Sequence, residues 1–273
     1  MGSGIAEVCA RAGCDVVVVE VNEAAASAGR RSIEQSLSRA VKADKLSDEL
    51  RAAALEHLVV GSDLGALADR ELVIEAAVEA EAAKLEIFTE IDKLVEDPDA
   101  VLASNTSSIP IMKLATVTGR PGSVVGMHFF NPVPVMALVE LVTTLVTSEA
   151  TRERAEHFAT VVLGKRVISS QDRAGFVVNA LLVPYLLSAI RMLESGFATA
   201  EDIDVGMVEG CRHPMGPLAL CDLIGLDTLV AAASSLYEEL KEPLYAPPPL
   251  LLRMVEAGRL GQKSGRGFWE HPR

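Results

Sequence analysis

Short runs of β-branched residues alternate with helical stretches over residues 1–170, and this alternation constrains the fold more than any other feature of the chain. The runs are rich in Val and Ile without polar–apolar alternation, which is typical of parallel strands covered on both faces. They lie at 15–20, 72–76, 100–104, 123–127, 138–142 and 165–169. The predicted helices lie between them, at 22–42, 47–56, 80–96, 109–116 and 148–163. This order predicts a doubly wound, Rossmann-type α/β sheet.

The remainder of the chain has no strand pattern. Residues 175–195 form one long apolar helical stretch, and shorter helices are predicted at 199–210, 217–224, 226–240 and 248–258. The sequence therefore predicts two domains, an α/β domain over 1–170 and an all-α domain over 171–273. Because the helix over residues 176–193 is so apolar, we expect it to pack against a partner chain as well as its own core, which predicts a homodimer.

The composition excludes several classes of protein. The chain has 273 residues, 49% of them hydrophobic, and a formal net charge of −13, which argues against nucleic-acid binding and a polybasic membrane module. The cysteines show no metal-ligand spacing, so we predict no metal and expect free thiols in a reducing compartment. No apolar run reaches the roughly 20 residues of a membrane span, and no signal peptide opens the chain. We predict a soluble, cytoplasmic protein.

The opening segment "GSGIAEVCARAGCDVVVVE" has the order of the second half of a dinucleotide-binding fingerprint. In that motif a glycine-rich turn opens a helix, and the following strand ends in an acidic residue. Gly2 takes the place of the third glycine, where helix and strand pack closely, and Glu20 takes the place of the acid. A carboxylate there binds a ribose diol and repels a 2′-phosphate, which favours NAD over NADP. The alternative is a surface acid after an ordinary strand.

The first strand and the first two glycines of the fingerprint do not precede Gly2 in this sequence. That strand is central in the usual strand order, so its loss leaves unpaired backbone groups in the middle of the sheet. We therefore expect either a natural start upstream of Met1 or weak NAD binding by this chain.

The segment "MHFFNPVPVMALVELV" places His128 and Glu140 in an apolar stretch. Histidine titrates near neutral pH, and a carboxylate on its far ring nitrogen holds one tautomer and stabilises the imidazolium. A buried glutamate without a partner is costly, so a His–Glu pair suited to acid–base catalysis is predicted. Taken singly, His128 could be a core histidine bonded to backbone, and Glu140 a surface acid at a strand end.

Several motifs occur in a characteristic order along the whole chain. They are "LVIEAAVEAEAAK" (72–84), "ASNTSS" (103–108), "GMHFFNPVPVMALVELV" (126–142), "GFVVNALLVPY" (175–185), "CRHPMGPLALCDLIGLDT" (211–228) and "GQKSGRGFW" (261–269). Together they resemble the L-3-hydroxyacyl-CoA dehydrogenases, and most nearly the short 3-hydroxybutyryl-CoA dehydrogenases of fatty acid metabolism. The resemblance implies reversible hydride transfer between NAD and C3 of a short-chain 3-hydroxyacyl-CoA. It also implies an active site between a Rossmann domain and a helical dimerisation domain.

The resemblance assigns His128 as the base, Glu140 as its partner, and Ser107 and Asn179 as hydrogen-bond donors to the substrate oxygen. Ser107 also follows a predicted strand end, where ligands bind in open α/β sheets, so its hydroxyl can hydrogen-bond both the substrate oxygen and the nicotinamide. The alternative for this segment is a cap for the helix 109–116, a position that Ser108 fits better.

The resemblance also implies contacts to the cofactor. Glu79 and Lys84 would line the nicotinamide ribose, and Asn131 would touch the nicotinamide or shape the turn before Pro132. Lys263 would reach the cofactor or close the site. The alternative for Glu79 and Lys84 is a pair of charges at a helix end.

Coenzyme A carries several negative charges, so an acidic protein needs a local basic patch to bind it. Cations cluster in and just after the predicted helix 22–42: Arg30, Arg31, Arg39, Lys42 and Lys45. By resemblance, Ser36, Lys42 and Lys45 contact the CoA nucleotide. Acidic residues are interspersed, so an ordinary solvated helix face is the alternative.

Two other functions fit parts of the sequence. One is a different NAD dehydrogenase with a helical second domain, but those enzymes use a catalytic lysine, where this chain has HFFNP and Glu140. The other is a non-catalytic descendant of the fold, crystallin-like or a scaffold. The missing glycines favour that alternative, and the presence of Ser107, His128, Glu140 and Asn179 argues against it.

Overall fold

The computed structural model of the protein describes residues 1–271. It divides into two compact units, the first over Met1–Asp172 and the second beginning at Arg173. Strands and helices alternate in the first unit, whereas the second is built from helices. The predicted fold class, a Rossmann-like α/β domain followed by a helical domain, is confirmed.

The first unit contains the strands of the fold. In chain order its helices and strands are α1 Gly2–Arg11, β1 Val16–Val19, α2 Glu23–Lys42, α3 Asp48–Glu56, β2 Leu58–Gly61, β3 Leu72–Glu75, α4 Glu81–Leu94, β4 Val101–Ser104, α5 Ile111–Thr116, β5 Val124–Phe129, β6 Leu138–Thr143, α6 Glu149–His157 and β7 Arg166–Gln171. Each predicted strand is present, and β2 is an addition. Its apolar run, 58–60, is too short to stand out in the sequence.

The strands form two sheets, β1–β2 and β3–β4–β5–β6–β7. Within residues 1–271, no strand lies between β1 and β3, so each is an edge strand. Neighbours pair in parallel except β5 and β6, which are antiparallel. The prediction of parallel strands throughout is wrong at this pair. Only the short segment 130–137 joins β5 to β6, whereas a parallel connection needs a crossover of about a dozen residues or more.

Local sequence explains where several helices begin. The Asn22 side chain accepts a hydrogen bond from the Ala25 amide (2.9 Å) at the start of α2. The Ser47 hydroxyl does the same for Leu50 (3.2 Å) at the start of α3. Such caps satisfy amides that have no partner inside the helix.

Helix α5 begins later than the sequence suggests, and Ser108 does not cap it. The helix starts at Ile111 after Pro110, and its first amides are bound by the Asp172 carboxylate. Asp172 accepts from the amides of Ile111 (2.9 Å) and Met112 (2.7 Å). The cap therefore comes from the end of β7, far along the chain, where local sequence patterns give no signal.

The core of the first unit surrounds the middle of the larger sheet. Strands β4 and β5 are buried along their whole length. Ile5 and Cys9 of α1 pack against Val101 and Met127 of these strands. Because both faces are covered, the strands are continuous apolar runs, as the sequence pattern indicates.

The second unit packs its helices around α7. They are α7 Val178–Glu194, α8 Ala200–Cys211, α9 Pro217–Ile224, α10 Leu226–Leu240 and α11 Pro249–Glu256. Leu186 and Ile190 of α7 are fully buried together with Leu218 and Leu226. In residues 1–271 no single helix is long and apolar enough to cross a bilayer; α9 and α10 pass that test only jointly, across a 97° bend.

Candidate active site

Three parallel strands end at one edge of the larger sheet. Strands β3, β4 and β5 run side by side in parallel, so their carboxyl ends at Glu75, Ser104 and Phe129 lie at the same edge. In open α/β sheets ligands bind outside this edge. Polar residues are concentrated here, and they form the candidate site.

His128 lies near the end of β5, directly opposite Glu140 of β6. The two residues are partners in the antiparallel register, and His128 Nδ1 lies 2.7 Å from Glu140 Oε2. The His128 side chain is 9% exposed and that of Glu140 is fully buried. Residues directly opposite in an antiparallel pair project to the same face, which is why the two side chains meet. The predicted pair is therefore present in the structure.

The geometry of this pair suits proton transfer. A carboxylate on Nδ1 favours the tautomer with its proton on that nitrogen, which leaves the lone pair on Nε2. The same carboxylate stabilises the imidazolium after Nε2 takes up a proton. The Phe130 ring lies beside the imidazole, with centroids 4.7 Å apart, and helps to fix its orientation.

Glu79 organises the loop that follows β4. One oxygen of its carboxylate accepts hydrogen bonds from the Thr106 hydroxyl (2.6 Å), the Ser107 amide (3.0 Å) and the Ser108 hydroxyl (2.9 Å). Burial by itself raises the pKa of Glu79, but these hydrogen bonds and the Lys84 ammonium together hold it below its usual value. Glu79 is therefore ionised at neutral pH and draws the loop toward β3.

Ser107 is half-buried in this loop, and its hydroxyl lies 3.5 Å from the Glu79 carboxylate. The structure thus brings Ser107 and Glu79 together at the carboxyl edge of the sheet, as the sequence suggested for each separately. Their contacts to substrate and cofactor stay predictions.

Lys84 is buried next to Glu75 at the end of β3. Its side chain is 1% exposed, and its Nζ lies 2.6 Å from Glu75 Oε1 and 3.4 Å from Glu79 Oε2. The other Glu75 oxygen accepts from the Ser104 hydroxyl (2.6 Å). Sequence reasoning missed Glu75; the signal was an acid within the predicted strand "LVIEA".

Asn105 is a second polar residue that sequence reasoning missed. Its side-chain oxygen accepts from the Phe129 amide (2.8 Å) and so ties the end of β4 to the residue after His128. The signal was an asparagine within "ASNTSS" directly after a strand. Asn131, predicted to contact the nicotinamide, is exposed just beyond β5, and its role stays a prediction.

The residues around β1 fit a dinucleotide. Glu20 follows β1, and within residues 1–271 its carboxylate accepts no hydrogen bond, so it is available to a ribose diol. Helix α1 begins at Gly2, where an added Cβ would lie 3.7 Å from Ala76 at the end of β3. The amino-terminus of α1 therefore lies at the carboxyl edge, where its amides suit a pyrophosphate. Helix α1 packs more closely on its neighbours at Gly4 than at Gly2, since an added Cβ at Gly4 would lie 3.1 Å from Val133.

A basic groove lies between α2 and α3. It has a volume of about 560 Å³ and is lined by Arg31, Glu34, Gln35, Ser38, Arg39, Lys42, Arg51 and Leu55. The only acid among these residues, Glu34, is paired with Arg30 outside the groove (2.9 Å). Of the predicted CoA contacts, Lys42 lines this groove, whereas Ser36 and Lys45 do not.

Two predicted site residues lie in the second unit. Asn179 is in the first turn of α7. The Lys263 ammonium lies 2.5 Å from the Asp227 carboxylate, and this contact holds the pKa of Asp227 below its usual value despite partial burial. The proposed contacts of Asn179 and Lys263 with substrate and cofactor stay predictions.

Known proteins match the whole chain. A family model described as 3-hydroxyacyl-CoA dehydrogenase, NAD binding domain, matches residues 1–173, and the C-terminal domain model of that family matches 175–271. A 3-hydroxybutyryl-CoA dehydrogenase of Mycobacterium tuberculosis is 64% identical over 99% of this chain and 95% of its own length.

Two solved structures are also similar to this chain over its whole length. The crystal structure of M. tuberculosis FadB2 has a TM-score of 0.98 at 64% identity, covering 100% of this chain and 95% of that one. The structure of (S)-3-hydroxybutyryl-CoA dehydrogenase PaaH1 from Ralstonia eutropha has a TM-score of 0.94 at 45% identity, covering 100% of this chain and 96% of that one.

The comparisons do not support the expectation that a first strand and two glycines are missing. The NAD-binding model matches from residue 1 onward, and the mycobacterial relative aligns over 99% of this chain. A dehydrogenase of another class, with a catalytic helical lysine, is ruled out by the same matches. With both family models matching in order and His128 paired with Glu140, the chain belongs to the 3-hydroxyacyl-CoA dehydrogenase family.

Proposed function

We propose that this protein catalyses reversible hydride transfer between NAD and C3 of a short-chain L-3-hydroxyacyl-CoA, with the 3-oxoacyl-CoA as the oxidised product. The observation that carries the proposal is the buried His128–Glu140 pair at the carboxyl edge of the sheet. The family match supports NAD as the cofactor. The names of the mycobacterial and Ralstonia relatives support a four-carbon substrate.

His128 moves the proton in this proposal. During oxidation its Nε2 accepts the proton of the C3 hydroxyl, and during reduction the imidazolium returns it. Glu140 stabilises the imidazolium and holds the ring in place. NAD, when bound, supplies the hydride acceptor; Glu20 and the amino-terminus of α1 would hold its ribose and pyrophosphate. Ser107 and Asn179 would donate hydrogen bonds to the substrate oxygen, where negative charge develops on reduction.

The proposal is tested by following the loss of NADH absorbance with acetoacetyl-CoA and its C4 to C16 homologues. We expect turnover, with the highest kcat/KM at C4. No consumption of NADH with any homologue would contradict the proposal and favour a non-catalytic scaffold.

Glu20 provides a test of the cofactor. Glu20→Ala is expected to weaken NAD binding and to reduce the preference for NAD over NADP by about tenfold, because the repulsion of a 2′-phosphate is lost. The measurement is the Kd of each nucleotide by fluorescence titration. Asp15→Ala, which removes an acid from the opposite end of β1, is the matched control and should leave the preference unchanged. A preference that is also unchanged in Glu20→Ala would refute the assignment.

The basic groove is proposed to bind the phosphates of CoA. Exposed cations each contribute little, about 1 kcal/mol or less, so two are removed together. Arg39→Gln with Lys42→Gln is expected to raise KM for acetoacetyl-CoA about tenfold at low salt and to leave kcat nearly unchanged.

Two controls separate this effect from a general loss of charge. Arg253→Gln removes an exposed cation from α11 and should leave KM unchanged. A truncated acetoacetyl thioester without the nucleotide should show the same KM with wild type and the double variant. Equal increases for both substrates would contradict a phosphate site in this groove.

The second unit exposes apolar side chains that support a homodimer. Leu181 of α7 is 72% exposed, and Phe197, just after α7, is 80% exposed. Apolar groups this exposed are typical of protein interfaces when they lie together. We propose that this unit forms the dimer contact, and that the protein acts in the cytoplasm.

A further inference from the structure

The buried Lys84 ammonium is committed to groups of the protein itself. Its Nζ lies 2.6 Å from Glu75 Oε1, 3.4 Å from the Ala77 carbonyl and 3.4 Å from Glu79 Oε2. The contacts with Glu75 and Ala77 are hydrogen bonds, and the contact with Glu79 is an ion pair. Lys84 therefore pairs with two carboxylates of the protein, and its predicted contact with the ribose stays a prediction.

The Glu75 carboxylate is equally well satisfied. Besides Lys84, it accepts from the Ala77 amide (2.6 Å) and the Ser104 hydroxyl (2.6 Å). Three donors therefore face the two oxygens of this carboxylate. The hydrogen bonds to Glu79 and the Lys84 ammonium outweigh the effect of burial and hold the pKa of Glu79 below its usual value. Two carboxylates and one ammonium leave the cluster with one net negative charge.

The cluster lies close to the proposed place of hydride transfer. Glu75 ends β3, and Ser104 ends the neighbouring β4, whose register partner Gly126 is on the same strand as His128. Adjacent strands are about 4.8 Å apart and each residue rises about 3.3 Å, so His128, two residues beyond Gly126, lies roughly 12 Å from Glu75. A ring that exchanges hydride with the carbon next to His128 has to lie at this edge.

We propose that the net negative charge of the Glu75–Lys84–Glu79 cluster makes the site favour the positively charged nicotinamide of NAD⁺ over the neutral ring of NADH. In this role Glu75 and Lys84 are positioning residues that act on the cofactor through their charge and through Glu79. The inference rests on the proposed function for the presence of the nicotinamide at this edge. It adds a determinant of the relative affinity for the two redox states.

The test compares the Kd of NAD⁺ and NADH by calorimetry, and the quantity of interest is the ratio Kd(NADH)/Kd(NAD⁺). Glu75→Gln keeps the shape and the acceptor for Lys84 but brings the cluster to zero charge. A unit charge at about 12 Å, with an effective dielectric constant of roughly 20 to 40, corresponds to a decrease of the ratio by roughly threefold to tenfold. Glu79→Gln removes the same charge from a more exposed position and provides the same readout if Glu75→Gln does not fold.

A charge-restoring variant separates electrostatics from a structural role. Glu75→Gln combined with Lys84→Met leaves Glu79 as the remaining charge, so the ratio should return toward the wild-type value. Damage to the structure would instead weaken both nucleotides and would be worse in the double variant. Glu90→Gln, which removes a half-exposed acid from the same helix α4, should leave the ratio unchanged.

Equal weakening of NAD⁺ and NADH in Glu75→Gln and Glu79→Gln would overturn the inference, as would a double variant with no recovery of the ratio. If the wild-type protein binds neither nucleotide, the proposed function itself fails, and this inference fails with it. If the wild-type protein binds both and only the variants fail to shift the ratio, the proposed function stands without the inference.

Discussion

His128→Gln is expected to lower kcat for the reduction of acetoacetyl-CoA by about two to four decades, the usual range for loss of a general acid–base group. Glutamine can still form a hydrogen bond with Glu140, but it cannot carry a proton to the substrate oxygen. The KM for acetoacetyl-CoA should change little, since the imidazole acts on the reaction and contributes little to binding. Steady-state rates from NADH absorbance give both parameters.

The chain contains a matched control for this substitution. His57 also lies next to a carboxylate, with Nδ1 2.8 Å from Asp15, but this pair is on the surface far from the carboxyl ends of the strands. His57→Gln should therefore leave kcat unchanged. A His128→Gln protein with wild-type turnover would remove His128 from the mechanism.

Glu140→Gln is expected to lower kcat by about a hundredfold to ten-thousandfold, on the scale seen when a carboxylate behind a catalytic histidine is replaced by an amide. The amide cannot stabilise the imidazolium, and its NH₂ group can turn the ring to the wrong tautomer. Glu140 is fully buried and bonded to His128 Nδ1, so its effect on turnover is expected to act through His128.

Non-additivity distinguishes this mechanism from a general loss of stability. Residues that act as one unit give a double variant that is hardly worse than the poorer single variant. His128→Gln with Glu140→Gln should therefore turn over about as slowly as His128→Gln alone. Fully multiplicative losses, or a Glu140→Gln protein with wild-type kcat, would show that the two side chains act independently. Asp15→Asn removes the carboxylate beside His57 at the surface and is the matched control, which should leave kcat unchanged.

The alternation of strands and helices could be predicted from the sequence because it depends on residues close together in the chain. A buried strand is a short apolar run, and in a helix apolar residues recur every three or four positions, so residues close in sequence specify each element. The helices 217–224 and 226–240 agree with the structure in both boundaries. The strand β2 was missed because its run is too short, and the start of α5 was missed because its cap, Asp172, comes from a distant strand.

Only some residues of the candidate site could be predicted from the sequence. His128 and Glu140 were predicted as a pair because both occur in one apolar stretch, where burying either side chain without a partner costs free energy. The antiparallel register of β5 and β6 places them opposite each other. Glu75 and Asn105 were missed because their importance depends on which strand lies next to which. Lys84 was predicted as a cofactor contact, and its burial against Glu75 appears only when α4 is packed onto the sheet.

The sequence by itself determined the fold class, the family motifs and the residue types available for acid–base chemistry, because these follow from local periodicity and from short ordered segments. Only the tertiary structure decided which buried charges pair with each other. Desolvation makes an isolated buried charge costly, so each must find a partner among groups that are distant in the chain. Strand order and register bring Glu140 to His128 and Glu75 to Lys84.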